Sequence, residues 1–400
     1  MAKGSASSWE IGPPRDEDEA LLYVDAFIQA LVGERPSDPT WPVAWLDRTG
    51  RENIRLIRKR GRVLGGLALL RMGQFHGGRS VPMQGVSAVA IRPEHRASGA
   101  GTALLRAALM EARATRMPLA ALYPATQPLY RRLGYEMAGS RTLYRIPCAA
   151  LALRARTLDI RPIGPMDIAR LRSAYLAFAR RGAGLLDRSD WCWGRVLSAP
   201  DSTVHAYVAE RAGALEGYVV FTQKPIAPHG YDIVVKDLIA LTRDAAESLL
   251  SFLGDHRSMS PEVSLFAAPG DPLLMLLPEQ SWKIDRRWEW MLRICDVGAA
   301  VEGRGFPPGF AMQLQLEVVD DVIPENAGRW RLAIGGGHAE ATRGGRGRVR
   351  VDARGLASLY SGRSSAHELA RAGLVSGPDA DLDALSAAFA GPAPWMPDMF

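Results

Sequence analysis

"RPEHRASGAGTALLRAALMEA", residues 92–112, places Gly99 and Gly101 at the mouth of an apolar helix. The residues before it, Val86-Ser87-Ala88-Val89-Ala90-Ile91, read as a short buried strand. Leu104, Leu105, Ala108, Leu109 and Ala112 share one side of the predicted helix, with Arg106, Glu111 and Arg113 elsewhere. Its first turn carries no side chain able to do chemistry, so what it offers is backbone. Amide N–H groups at a helix start are unsatisfied and lie at the positive end of the macrodipole, where they can hold phosphate oxygens. Glycine lets that backbone come close to a ligand because no Cβ intervenes. Arg96-Ala97-Ser98-Gly99-Ala100-Gly101 therefore reads either as a pyrophosphate cradle with Arg96 as charge partner, or as a tight strand-to-helix turn without a ligand. Spacing alone does not choose between them. It differs from G-x-G-x-x-G, no acidic residue is placed to bind a ribose, and no Lys-Ser/Thr follows as a P-loop requires.

Working outward, residues 15–33 start acidic and then carry apolar residues at helical spacing, with Gly33 as the stop. NIRLIRK and RVLGGLALLRM read as a hairpin joined at Arg60-Gly61. After the glycine turn and its helix come a strand at 118–123 and the segment ATQPLYRRLGYE. There Thr126 is placed to cap a short helix, Pro128 sits in its first turn and Gly134 ends it. TLYRIP (142–147) returns as a strand. Near residue 150 the pattern begins again: a strand and helix at 158–180, a hairpin at 204–223, a strand at 231–242, and a helix in TRDAAESLLSFLGDH. This second copy has no glycine between Leu241 and Leu249, so it repeats the fold without the phosphate turn. WEWMLRICDV (288–297) is strand-like, and GRGFPPG then reads as a linker. Beyond it lie the strand pair MQLQLEVVDDVIP and GRWRLAI, an arginine-rich segment, and two helical stretches. Arg343, Arg346, Arg348 and Arg350 alternate as one face of a hairpin would.

Four hundred residues exceed one core, and a composition of 47% hydrophobic and 23% charged residues is that of a globular protein. No run is long and apolar enough to span a membrane, and residues 1–14 lack the apolar stretch of a secretory signal. Cys148, Cys192 and Cys295 are far apart in apolar surroundings, which predicts buried thiols in a reducing compartment, with no disulfide framework and no zinc spacing. A cytoplasmic protein is expected. The net charge of +6 comes from scattered arginines nearly balanced by acids, which argues against nucleic acid as partner and suits an anionic ligand.

Arg-x-x-Gly-x-Gly after a strand and before an amphipathic helix resembles the acetyl-CoA motif of the GNAT acyltransferases. The stretches VSAVAIRPEHRASGAGTALL, PLYRRLGYE, WEWMLRICDV, VIPENAGRWRL and PWMPDMF, in that order, resemble the Eis family of GNAT N-acetyltransferases. The resemblance implies a mixed α/β and α+β architecture of tandem GNAT domains, the second degenerate, followed by a sterol-carrier-protein-like α+β domain. It divides the chain into a GNAT domain at 1–148 completed by a strand at 286–298, a degenerate copy at 149–285, and a third domain at 299–400. It further implies acetyl-CoA as cosubstrate, no metal, and a homo-oligomer, a hexamer in that family. By the same resemblance Val89, Ala90 and Ile91 bind the pantetheine arm through strand-edge backbone groups. Ala97, Ser98, Gly99, Ala100, Gly101 and Thr102 hold the pyrophosphate, and Ala125 and Thr126 touch the cofactor near the thioester. Members often carry consecutive arginines where Ala97 and Ser98 stand, so this chain leans more on backbone amides.

Acetyl transfer to an amine needs the thioester positioned, the amine deprotonated and the leaving thiolate stabilised. Tyr130 occupies the place of the GNAT tyrosine acid, and a phenol with a pKa of about 10 keeps its proton at neutral pH. Tyr123 and Tyr135 are competitors, and Tyr130 as a packing residue is the plain alternative. His95 lies in the turn and is more simply a structural or solvent-facing residue. In the Eis family the base is the carboxylate of a final phenylalanine, here Phe400, carried on an apolar segment that can bury. A carboxyl with a pKa of about 3.5 is a weak base, so a bridging water or partial burial must help. No cysteine stands beside a histidine or the glycine turn, which favours direct attack in a ternary complex over an acetyl-enzyme. The expected acceptor is a primary amine of a polyamine, an aminoglycoside-like molecule or a lysine. The rivals are a lipid- or sterol-carrier protein, which needs no thioester motif, and a tandem-GNAT acyltransferase acting on a thiol precursor or peptide amine, which leaves residues 300–400 unexplained.

Overall fold

In the computed structural model, which describes residues 9–34, 36–153, 156–199 and 202–400, the apolar run at 86–91 is the end of a longer strand, Arg79–Ile91. It forms an antiparallel hairpin with Arg62–His76 and continues through a short 3-10 turn into the helix Ala100–Ala114. That helix buries Leu104, Leu105, Ala108, Leu109 and Ala112, the side its periodicity marks out. The acidic helix also forms, as Glu17–Phe27 with Asp16 capping the Glu19 amide, and runs on through a π-turn to Gly33.

A sheet of thirteen strands, counted among the described residues, runs through two repeats. In the first repeat, Arg79–Ile91 pairs in parallel with Leu119–Leu122 only at Met83, Gln84 and Gly85, and then the two strands part. In the second, Tyr231–Ala240 pairs in parallel with Glu262–Ala267 only at Ile233 and Val234, and parts likewise. The strand Lys283–Ile294 runs antiparallel between Leu119–Leu122 and Glu136–Pro147, so a segment that follows the second repeat sits inside the sheet of the first. Each copy places a helix beside its parting strands: Ala100–Ala114 in one, Arg243–Gly254 in the other.

Residues 312–389 build a separate five-stranded sheet in the order 338–343, 328–335, 312–319, 349–352, 375–376, covered by the helices Ala353–Ser361, Ala366–Arg371 and Asp379–Phe389. The arginine-rich hairpin is not there. His338–Arg343 and Val349–Asp352 do not pair with each other; the second crosses the sheet and lies parallel to Met312–Val319. Burial decides this, because Val349 and Val351 point into the core while Arg348 and Arg350 stay at the surface with Asp381 and Glu317. Arg343 instead stacks on Trp330, 3.9 Å from the ring centre. All three cysteines are buried and free. Among the described residues no helix is long and apolar enough to cross a membrane.

Candidate active site

Where the first pair of parallel strands parts, a cavity of about 610 Å³ opens between Val89, Ile91, Gly99, Gly101, Thr126 and Tyr130. Its strand wall carries a bulge: Gly66 faces Ala90 and Ala68 faces Ser87, so one extra residue is accommodated at Ala88-Val89. Ala88 takes φ +51°, and the Tyr23 hydroxyl donates to its carbonyl at 2.7 Å. Beyond Gly85 this strand has no strand partner on the Leu119–Leu122 side among the described residues. Its backbone there is free to bind an extended ligand. Tyr23, 65 residues upstream, had no signal in the local sequence that could mark it for this task.

The helix wall offers amides. The Ala103 amide donates to the Gly99 carbonyl at 3.0 Å, so the Gly101 and Thr102 amides precede any helical acceptor. Ser98 is turned back, its hydroxyl donating to the His95 carbonyl at 2.6 Å, and only a long 3.4 Å contact reaches it from the Ala100 amide. Gly99 holds φ +89° with open space where a Cβ would stand, so its conformation, not crowding, calls for glycine. Arg96 is exposed at the rim; its Nε makes a long 3.4 Å contact with the Ile91 carbonyl. Arg96, Ala97, Ala100, Thr102 and Ala125 also line the cavity, as does His95. Ala90 and Ser98 do not. Ala90 is buried on the opposite face, among residues of the Glu17–Phe27 helix, and can act only through its backbone.

The three tyrosines separate by what their hydroxyls do. Tyr135 is sealed in the core with no partner for its hydroxyl among the described residues, and Tyr123 donates to the Asp398 carbonyl at 2.8 Å. Tyr130 lines the cavity, packs edge-on to Tyr135 at 6.1 Å, and its hydroxyl makes no protein hydrogen bond among the described residues. Burial pushes its phenol up to about 12.

Residues 394–400 thread from the third domain to this place. The Ser140 amide donates to the Pro394 carbonyl at 3.1 Å, the Trp395 amide to the Ala183 carbonyl at 3.0 Å, and the Met396 amide to the Ser140 carbonyl at 3.1 Å. Arg141 Nε then donates to the Pro397 carbonyl at 2.7 Å, its guanidinium 3.6 Å above the Phe266 ring. Arg188 grips both oxygens of Asp398 and both of Asp237, and the Tyr218 hydroxyl donates to Asp237 at 2.6 Å. Burial opposes charge on Arg188, but the two carboxylates outweigh it and hold the guanidinium well above its ordinary pKa. The path ends with the Phe400 ring against Tyr123 at 5.8 Å, and about 3 Å from where a Cβ on Gly85 would stand. Gly85 is the last paired residue before the strands part. The polar anchors Arg141, Arg188 and Asp237 escaped the sequence reading; the one local hint is Asp237, an acid in the middle of the strand YDIVVKDLIA.

The second repeat shows what a closed helix start looks like. Thr242 accepts the Ala245 amide at 3.1 Å and donates to Glu216 at 2.5 Å, and Asp244 stands in the first turn. The Ala245 amide is already satisfied, and Glu216 and Asp244 share one guanidinium, that of Arg211, which leaves an excess negative charge beside the helix start.

Comparison with known proteins agrees with this division. Residues 16–138 and 184–294 each match an acetyltransferase (GNAT) domain, and residues 297–397 match a sterol carrier protein domain. An uncharacterised N-acetyltransferase of Streptomyces avermitilis is 31% identical over 348 residues, covering 81% of this chain and 83% of that protein. The N-acetyltransferase Eis of Mycobacterium tuberculosis is 29% identical over 342 residues, covering 78% and 79%. The crystal structure of a GCN5-related N-acetyltransferase from Anabaena variabilis superposes with a TM-score of 0.93 at 34% identity, over 98% of this chain and all of that one. Eis1 from Mycobacterium abscessus, at 24% identity, shares the fold with a TM-score of 0.80 over 98% of this chain and 100% of its own.

Proposed function

Because the chain belongs to the GNAT N-acetyltransferase family that includes the Eis proteins, we propose that it moves the acetyl group of acetyl-CoA to a primary amine by direct attack in the first-domain cleft. The observation that carries this reading is a cavity that joins two of three parts, with the third packed where its strand wall begins. They are the free helix amides by Gly99 and Gly101, the unpartnered Tyr130 hydroxyl, and the Phe400 ring at the point where the strands part.

In this reading the amides of residues 97–102 hold the pyrophosphate and the free strand edge at Val89–Ile91 holds the pantetheine arm. Ala125 and Thr126 flank the thioester end. The amine nitrogen attacks the thioester carbonyl, a C–N bond forms, and the C–S bond breaks. The proton lost by nitrogen goes to the Phe400 carboxylate, directly or through a water, and onward to solvent.

Tyr130 assists the leaving sulfur. A phenol near 12 giving its proton outright to a thiolate whose thiol has a pKa of about 8.5 would run uphill by about 5 kcal/mol. Its part is therefore a hydrogen bond that strengthens as charge builds on sulfur, which is transition-state stabilisation without a completed transfer.

A panel of polyamines, aminoglycosides and lysine-bearing peptides, assayed for acceptor-dependent thiol release, tests the reading. Release with at least one amine, and one acetyl-CoA bound per chain, is the expected result. Lipid binding without acetyl-CoA binding would make the chain a carrier instead.

A further inference from the structure

The second repeat kept the shape of a cofactor cleft and closed only its phosphate end. A cavity of about 810 Å³ lies between the end of the strand Tyr231–Ala240, the start of the helix Arg243–Gly254 and the 3-10 segment Pro272–Leu276. Leu238 and Ala240 line it as Val89 and Ile91 line the first cleft. Beyond Val234 that strand has no strand partner on the Glu262–Ala267 side among the described residues, so an unpaired backbone edge runs along a cavity walled mostly by Leu, Ala, Pro and aromatic side chains. Two of its charged side chains are spent: Asp271 accepts the Leu273 and Ala268 amides at 3.0 and 3.1 Å, and Arg243 pairs with Glu247 at 2.8 Å. Arg181 is exposed at the rim. The remaining wall is Pro392, Ala393 and Trp395, the segment that leads to Phe400.

We propose that this second cleft is a binding site for a phosphate-free acyl amide, an extended apolar chain carrying an amide or carbonyl. Apolar walls favour burial of the chain. The free strand edge supplies N–H and C=O partners that would otherwise stay unmatched against an apolar chain, which selects for an amide within it. The helix end that would take a phosphate is filled by the Thr242 hydroxyl, and the Glu216 and Asp244 carboxylates beside it share the single Arg211 guanidinium, so the cluster keeps an excess negative charge that selects against an anion there. The site is independent of the acetyl-transfer reading, since it involves neither Gly99 nor Tyr130.

Titration calorimetry of the full chain, first saturated with coenzyme A, with N-octanoylethanolamine as probe tests this. One site per chain is expected, and the O-phosphorylated probe should bind at least tenfold more weakly. Ala246→Phe and Ala240→Phe, which fill the cavity from helix and strand, should each weaken the probe at least tenfold while coenzyme A binding reports an intact fold. Absence of binding at millimolar probe would overturn the proposal. So would loss of the probe on saturation with coenzyme A, tighter binding of the phosphorylated probe, or two filled variants that bind like the parent. A filled variant that lowers the oligomeric state in sedimentation would assign the cavity to a second copy and equally overturn it.

Discussion

Arg188 Nε stands 3.1 Å from both carboxylate oxygens of Asp398, two positions before Phe400, and the pair is almost wholly shielded from water. The same guanidinium binds Asp237 of the second repeat, so one buried cation ties residues 394–400 to the sheet. Arg188→Met should leave two buried carboxylates without a counter-charge, at a cost of about 3–5 kcal/mol. Denaturant unfolding reads that cost. In the protein that remains folded, acetyl transfer should fall while acetyl-CoA binding holds, because the phosphate cradle lies elsewhere.

Phe400 makes a sharper prediction. Extending the chain beyond it should displace its carboxylate and strongly reduce acetyl transfer, with acetyl-CoA affinity nearly unchanged. Amidating Phe400 separates charge from bulk and should cost rate with the ring still seated on Tyr123. The intact mass of the natural protein establishes whether Phe400 ends it. Full turnover in the amidated protein would remove the carboxylate from the reaction.

Tyr130→Phe should lower kcat more than it weakens acetyl-CoA binding, since the hydroxyl is needed as charge develops on sulfur. A loss of about tenfold or more is expected from one such donor. With burial holding this phenol at about 12, its own ionisation should leave no limb in the kcat profile between pH 6 and 10.

Gly99→Leu should abolish acetyl-CoA binding and spare the fold. The position holds φ +89° with open space around it, so the leucine strains the turn and projects where the ligand must come. Calorimetry of the parent should count one acetyl-CoA per chain. A second equivalent would mean that the capped helix at Thr242 also binds it.

The helix Glu17–Phe27 carries its own pH signature. Hydrogen bonding from the buried Arg58 holds Glu19 down to about 2, against a usual 4.5. A carboxylate depressed on folding stabilises the fold fully above its unfolded value, and that contribution is lost as pH falls from about 4.5 toward 2. Glu19→Gln should flatten that part of the stability profile in acid unfolding experiments, and should destabilise at neutral pH by leaving Arg58 without its carboxylate.

Much of the molecule was legible locally, and for a reason. The helix at 100–114 is set by a 3.6-residue apolar period, and the turn before it by Gly99, whose φ of +89° other residues adopt only at a cost. The repeat and its missing glycines are likewise properties of short windows. They marked the glycine turn that lines the cavity, while Thr126 and Tyr130 beside it were singled out by the resemblance to the GNAT acyltransferases.

What only the tertiary structure decided is everything set by pairing across long separations. Tyr23 holding Ala88, Arg188 holding Asp398 and Asp237, and the Phe400 ring at Gly85 join residues 49 to more than 300 positions apart. The sequence by itself determined which segments become helix, strand and glycine turn, because those follow from local torsion preferences and apolar spacing. Beyond local hairpins such as the one turning at Arg60-Gly61, it was silent on neighbours. The alternation at Arg343–Arg350 suggested a hairpin, yet Val349 and Val351 are buried only by crossing to the far side of Met312–Val319. Strand neighbours are chosen by which faces can be buried together, and that is a property of the assembled core rather than of any window along the chain.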